Sequence, residues 1–180
     1  METANVHAYK YTNNEHWVYN GTRLEVVNDF KYLGVVFNYT GSFVLNQQAL
    51  CGKGLKPMNI LISNINKYEV RPKTALQLFD AFVSSILNYS SEIWGFCKGK
   101  NMEALHLRFC KYVLGVKITT SNAGVYGELG RYPLFVNRFI HILKYWFKIL
   151  QTDNFIIRHY ASALADCNRG KTNWVTKVKT

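Results

Sequence analysis

The apolar residues of this 180-residue chain change their period near Phe43, and that change limits the fold more than any other feature. Before it, His16 to Phe37 reads as strand. Trp17-Val18-Tyr19 runs into Asn20-Gly21, and Leu24, Val26 and Val27 follow. Asn-Gly between β-forming residues is a strong hairpin signal, because both turn positions need positive φ. A third run, Phe30 to Phe37, holds Gly34, which inside a strand marks a bulge or a close backbone approach. Thr40-Gly41-Ser42 closes the β part.

Beyond Phe43 the pattern is helical. Thr74 to Asn88 sets Leu76, Phe79, Val83, Ile86 and Leu87 on one face, and Lys73, Gln77, Asp80, Ser84 and Asn88 on the other. Pro72 stands near its start, where Pro is tolerated. Helices are also expected over Asn101–Leu114 with Gly115 as stop, Ser121–Leu129 with Gly130 as stop, Pro133–Gln151, and Asn154–Ala165. Phe43 to Tyr68 is helical in period but contains Gly52, Gly54 and Pro57. Interior Gly costs about 1 kcal/mol and interior Pro about 3, which predicts two short helices meeting near Gly54–Pro57. The expected fold is α+β, mostly α: a short N-terminal antiparallel β-hairpin or meander, followed by a helical bundle.

With 48% hydrophobic, 15% aromatic and 18% charged residues, the chain is not of the disordered class. A chain of this length buries roughly 70% of its unfolded surface, enough for a real core. Its net charge is +11, and the excess is uneven. Residues 1–70 hold 6 Lys+Arg against 5 Asp+Glu, and residues 71–180 hold 16 against 6. A basic C-terminal two thirds favours polyanionic partners: nucleic acid, or an anionic membrane surface.

Met1 to Lys10 lacks the apolar core of a signal peptide. The most apolar stretch, Pro133 to Leu150, is interrupted by Arg138, His141, Lys144 and Lys148, so no stable membrane insertion is expected. Cys51, Cys97, Cys110 and Cys167 form no CxxC pair and read as reduced, mostly core thiols. An intracellular location, in cytoplasm or nucleus, is expected.

Catalytic constellations are missing from the sequence. Asp29, Asp80, Asp153 and Asp166 stand far apart, so no paired-carboxylate magnesium motif is formed. No glycine-rich phosphate loop and no nucleophile elbow occurs. His106 and Cys110, four apart on a helix, are two groups where a metal site needs more, and read as core. Glu128 reads as a helix-end residue. No catalytic residue, metal or cofactor is expected.

The binding features are richer. On a wheel of about 100° per residue, Asn137, Arg138, His141, Lys144, Lys148 and Gln151 fall in a stripe about 140° wide. The rest of that helix is apolar and should bury most of its surface. Such Lys/Arg rows bind phosphate backbones, although the pattern also suits an interfacial membrane helix. Lys98, Lys100, Arg108, Lys111 and Lys117, and further on Arg169, Lys171, Lys177 and Lys179, add cations with Tyr and Trp among them. Most of the Tyr and Phe are expected in the core.

A series of segments also carries a family resemblance. In order they are Phe30-Lys31-Tyr32-Leu33-Gly34, Leu78-Phe79-Asp80-Ala81, Ile86-Leu87-Asn88-Tyr89 and Glu92-Ile93-Trp94-Gly95. Then come His106-Leu107-Arg108-Phe109-Cys110-Lys111, Val125 to Leu134, Lys144-Tyr145-Trp146, and Gly170-Lys171-Thr172-Asn173-Trp174. Together, over Trp17 to Thr180, they resemble the part beyond the catalytic palm of non-LTR (LINE-type) retrotransposon reverse transcriptases, jockey-like ones above all.

The resemblance implies three parts. Residues 1–42 would be a palm remnant with a primer-grip-like hairpin, 43–116 a thumb-like helical bundle, and 117–180 a helical C-terminal extension. It implies primer-end contacts at Phe30, Tyr32 and Gly34. The family's polymerase carboxylates, in its Phe-Ala-Asp-Asp motif and an earlier Asp, have no counterparts here. The expectation is therefore a non-catalytic fragment of an RNA-directed DNA polymerase, not an enzyme on its own. It would bind RNA, RNA/DNA hybrid or DNA through Lys98, Lys100, Arg108, Lys111, Arg138, Lys144 and Lys148. Two other readings stay open: a subunit that completes a polymerase with a separate palm and fingers domain, and an amphipathic fragment that meets a protein or membrane without nucleic acid.

Overall fold

A computed structural model describes residues 18–96, 99–157 and 159. The chain forms two compact units, Met1–Asn46 and Gln47–Thr180. Short antiparallel strand pairs come first and helices follow, so the class is α+β and mostly α.

In the first unit, β1 (Val18–Tyr19) pairs with β2 (Thr22–Arg23). Asn20 and Gly21 join them with φ of +47° and +75°, the backbone that the Asn-Gly signal demands. The expected continuation of strand through Val27 does not form; β2 ends at Arg23. The expected single run from Phe30 to Phe37 is also corrected. It is a second hairpin, β3 (Asp29–Tyr32) against β4 (Val35–Asn38), with Phe30 opposite Phe37 and Tyr32 opposite Val35. Leu33 and Gly34 form its turn, with φ of +45° and +84°. Gly34 is there for conformation, not as a bulge within a strand. Asn38 ties the ends, its side-chain amide donating to Asp29 Oδ1 at 2.6 Å. The backbone N–H of Val36 donates to Asn46 Oδ1 at 3.0 Å.

The helices are α1 (Val44–Tyr68), α2 (Pro72–Phe79), α3 (Ser85–Leu87), α4 (Ser91–Trp94), α5 (Lys100–Leu114), α6 (Asn122–Leu129) and α7 (Leu134–Gln151). The break expected near Gly54–Pro57 is absent: α1 is continuous with Pro57 inside it. Its buried positions Leu50, Gly54, Met58 and Leu61 form one stripe that runs through the expected break. Burying Leu50, Met58 and Leu61 contributes about 1.5–3 kcal/mol each. That matches or exceeds the roughly 5 kcal/mol that two glycines and a proline cost in propensity. Gly54 has a packing role, since a Cβ there would lie 2.9 Å from Leu87 Cδ2.

The expected straight helix from Thr74 to Asn88 is interrupted by a π-helical turn at Asp80–Ser84. An i→i+5 turn rotates everything after it relative to a straight helix. Ser84 and Asn88, expected on the polar face, are consequently buried, and Asn88 Nδ2 donates to Ser84 Oγ at 3.0 Å. The core of this unit contains Phe79, Val83, Leu87, Trp94, Met102, Phe109, Leu134 and Ile142. Phe79 and Phe109 stack at 4.6 Å. α5 lies centrally, in contact with α2, α6 and α7, and α7 also packs on α4.

The ends of α5, α6 and α7 agree with expectation. Gly115 and Gly130 close α5 and α6 in the left-handed region, and Pro133 stands before α7. The expected helix Asn154–Ala165 lies mostly outside the described residues. Among the described residues, no helix is long and apolar enough to cross a membrane.

Candidate nucleic-acid interface

Phe30 and Tyr32 sit two apart on β3, so they share a face. Both are more than half exposed, and their rings stack on each other at 6.3 Å with an interplanar angle of 17°. They make a small aromatic platform of the kind on which nucleobases stack. Gly34, the third residue expected here, lies in the adjoining turn.

On the helical unit, Lys100 and Arg108 are exposed two turns apart on α5, and Lys144 and Lys148 are exposed one turn apart on α7. Lys117 is exposed in the loop after α5. None of these takes part in an ion pair among the described residues. Lys98, Arg169, Lys171, Lys177 and Lys179 lie outside the described residues.

Two of the expected phosphate contacts are corrected. Arg138 is fully buried, although the wheel set it in the basic stripe. Its Nη2 donates to Glu103 Oε1 at 2.8 Å, and its guanidinium lies 5.8 Å from the Trp94 ring centroid. Lys111 is buried too, and its Nζ donates to the Ile118 carbonyl at 2.6 Å, which ties the loop after α5 to that helix. Both cations are held by the protein itself. Removing either from its partner would leave a buried charge, which is strongly unfavourable.

The reading of α7 as mostly buried is corrected as well. Only Leu134, Arg138 and Ile142 are buried in it. Phe139, Ile140, Leu143, Phe147 and Leu150 are each at least 41% exposed.

One group of cations escapes a sequence reading. Lys53, Lys56 and Lys67 are all exposed on α1. At about 100° per residue they fall within about 60° of one another. Their spacing is present in the sequence, but a break at Gly54–Pro57 would have put Lys53 and Lys67 on separate helices.

His106 and Cys110 are buried in the core. Burial, reinforced by the charge of Arg131, lowers the His106 pKa to about 4, and burial pushes the Cys110 thiol up to about 11. A neutral imidazole and a protonated thiol are inert at neutral pH. Cys51 is half-buried, and burial raises its thiol as well. Among the described residues, no three His, Cys, Asp or Glu side chains are grouped to hold a metal ion.

No family model, curated protein or solved structure matches the chain.

Proposed function

We propose that this chain is a non-catalytic, thumb-like module of a non-LTR reverse transcriptase that binds the backbone of a template–primer duplex. The observation that carries the reading is the exposed charge of the helical unit. Among the described residues of that unit, Lys53, Lys56, Lys67, Arg71, Lys73, Lys100, Arg108, Lys117, Lys144 and Lys148 are exposed, against Glu69, Asp80, Glu128 and Asp153. Asp80 is moreover held by Arg131 through two hydrogen bonds. Such a surface attracts polyanions and releases their counterions on contact. Further support comes from the ordered resemblance over Trp17 to Thr180 and from the Phe30–Tyr32 platform, which suits the unstacked end of a primer. With no base-reading motif in the sequence, recognition would rest on charge and duplex shape.

The test is fluorescence anisotropy of a labelled RNA/DNA primer–template with the full chain, across a salt series. Micromolar or tighter binding, with log K falling against log salt at a slope of about −4 or steeper, is the expected result. Absence of salt-dependent binding by a chain that circular dichroism shows to be folded would overturn the reading.

A further inference from the structure

α1 ends at Tyr68 with no glycine after it. Glu69 takes the left-handed backbone that glycine normally supplies there, with φ of +47°. The N–H of Val70 then donates back to the Ile65 carbonyl at 3.4 Å. A turn of this kind brings together the apolar side chains before and after it. Ile65 and Val70 accordingly form one wall of a half-open cavity of about 170 Å³. Pro72, the first residue of α2, and Val113 of α5 line it as well.

Two polar groups stand in this apolar lining, Asn66 and Tyr112. The Tyr112 hydroxyl donates to Asn66 Oδ1 and lies 3.3 Å from the Ile62 carbonyl. The bond to Oδ1 fixes the amide and leaves the Nδ2 hydrogens of Asn66 for an acceptor. Cations border the lining in sequence: Lys67 follows Asn66, and Arg71 and Lys73 stand on either side of Pro72. All three are exposed. From Gln47 to Phe79 the only acidic residue is Glu69.

Size, lining and charge together select the occupant. A cavity of about 150 Å³ holds one benzene ring, so this one holds a single six-membered ring. Its apolar walls suit the faces of that ring, and the Asn66 amide suits a carbonyl on its edge. The bordering cations suit an attached anion. A flat ring with a carbonyl edge and a phosphate tail is a pyrimidine nucleotide; a purine would leave its second ring in solvent.

We propose that the cavity between the end of α1, the start of α2 and the end of α5 binds one pyrimidine nucleotide. The base lies inside with a ring carbonyl on Asn66 Nδ2, and the phosphate lies among Lys67, Arg71 and Lys73. This deepens the nucleic-acid reading above and rests on it. In a bound template–primer the occupant is an unpaired residue of a strand; free mononucleotide is the other source of the same chemistry.

Titration of the isotope-labelled full chain with uridine 5′-monophosphate, followed by amide NMR at constant ionic strength, tests this. The side-chain amide of Asn66 and the backbone amides of Val70, Lys73 and Val113 are expected to shift and saturate, with Kd of about 1 mM or below. Ribose 5-phosphate lacks the ring and phenyl phosphate lacks the carbonyl, so each should bind about tenfold more weakly. Val70→Trp fills the cavity from the loop and should abolish the response. Asn66→Ala, at an exposed helix position, should weaken it several-fold, and serves if the tryptophan variant fails to fold. Absence of shifts at those residues would overturn the proposal. So would an equal response to either control, or an Asn66→Ala titration identical to the parent.

In anisotropy, a template–primer with a short uridine overhang should bind about threefold tighter than a blunt one, a gain lost in Asn66→Ala. A response to mononucleotide without that gain keeps the site and makes free nucleotide its ligand. Blunt-duplex binding does not involve the cavity, so it decides the proposed function separately.

Discussion

Glu103 on α5 holds Arg138 on α7, Oε1 to Nη2 at 2.8 Å, with the arginine out of contact with solvent. The same carboxylate accepts the N–H groups of Leu134 at 2.9 Å and Phe135 at 2.7 Å. One acidic side chain therefore neutralises a buried guanidinium and caps the helix that carries it. Negative charge at a helix N-terminus is favourable in itself, and here it also joins two helices.

Glu103→Gln should destabilise the chain by about 3–5 kcal/mol, because the buried guanidinium loses its counter-charge. Urea denaturation would measure it. Combining Glu103→Gln with Arg138→Met should recover much of the loss, since the uncompensated charge leaves with the arginine. A double variant as unstable as the sum of the singles would disprove that account.

His106 predicts a pH dependence. Its ring lies 5.3 Å from Phe79 and 5.6 Å from Tyr126, with neither nitrogen hydrogen-bonded. Its pKa is lowered from 6.5 to about 4, first by burial and then by Arg131. Between those values the unfolded chain binds the proton and the folded chain does not. The stability associated with the neutral ring is present above pH 6.5 and declines as pH falls toward 4, by about 3 kcal/mol in all. Melting temperatures at pH 7.5 and 4.5 should differ less in His106→Phe than in the parent chain. At neutral pH that variant should be as stable as the parent or slightly more so, because it removes unpaired buried nitrogens.

Two glycines of α1 should respond oppositely to alanine. The space that a Cβ at Gly52 would fill is open to 4 Å, so Gly52→Ala should stabilise by up to about 1 kcal/mol. At Gly54 the Cβ would meet Leu87 Cδ2 at 2.9 Å, and Leu87 is fully buried. Overpacking of about 1–3 kcal/mol then outweighs the propensity gain, and Gly54→Ala should lower the urea midpoint.

If α7 contacts phosphates through its exposed lysines, Lys144→Gln with Lys148→Gln should reduce the magnitude of the salt slope by about 2. Melting temperature should barely move, because both side chains are exposed. Arg138→Met should do the reverse, altering stability and leaving the slope unchanged. An unaltered slope in the lysine pair would take α7 out of the interface.

Short-range chemistry was legible in the chain. Asn20-Gly21 announces its turn because both residues accept positive φ, and Gly115, Gly130 and Pro133 mark the helix ends by the same logic. The Leu33–Gly34 turn was not legible, because a leucine at φ +45° is locally unfavourable and the flanking residues read as strand. For the candidate interface, the exposed Lys100, Arg108, Lys144 and Lys148 follow from the amphipathic pattern, while Arg138 and Lys111 do not.

The sequence by itself determined the order of strands and helices, most helix ends and the basic bias of the C-terminal two thirds, because propensity, capping and charge act over a few residues. Only the tertiary structure decided that α1 continues through Pro57, that a π-turn carries Ser84 and Asn88 inward, and that Arg138 is buried. Each depends on a partner distant along the chain: Leu87 against Gly54, or Glu103 against Arg138. Burial of that kind contributes several kcal/mol, and parting a buried arginine from its carboxylate costs about as much, more than the local preference they override.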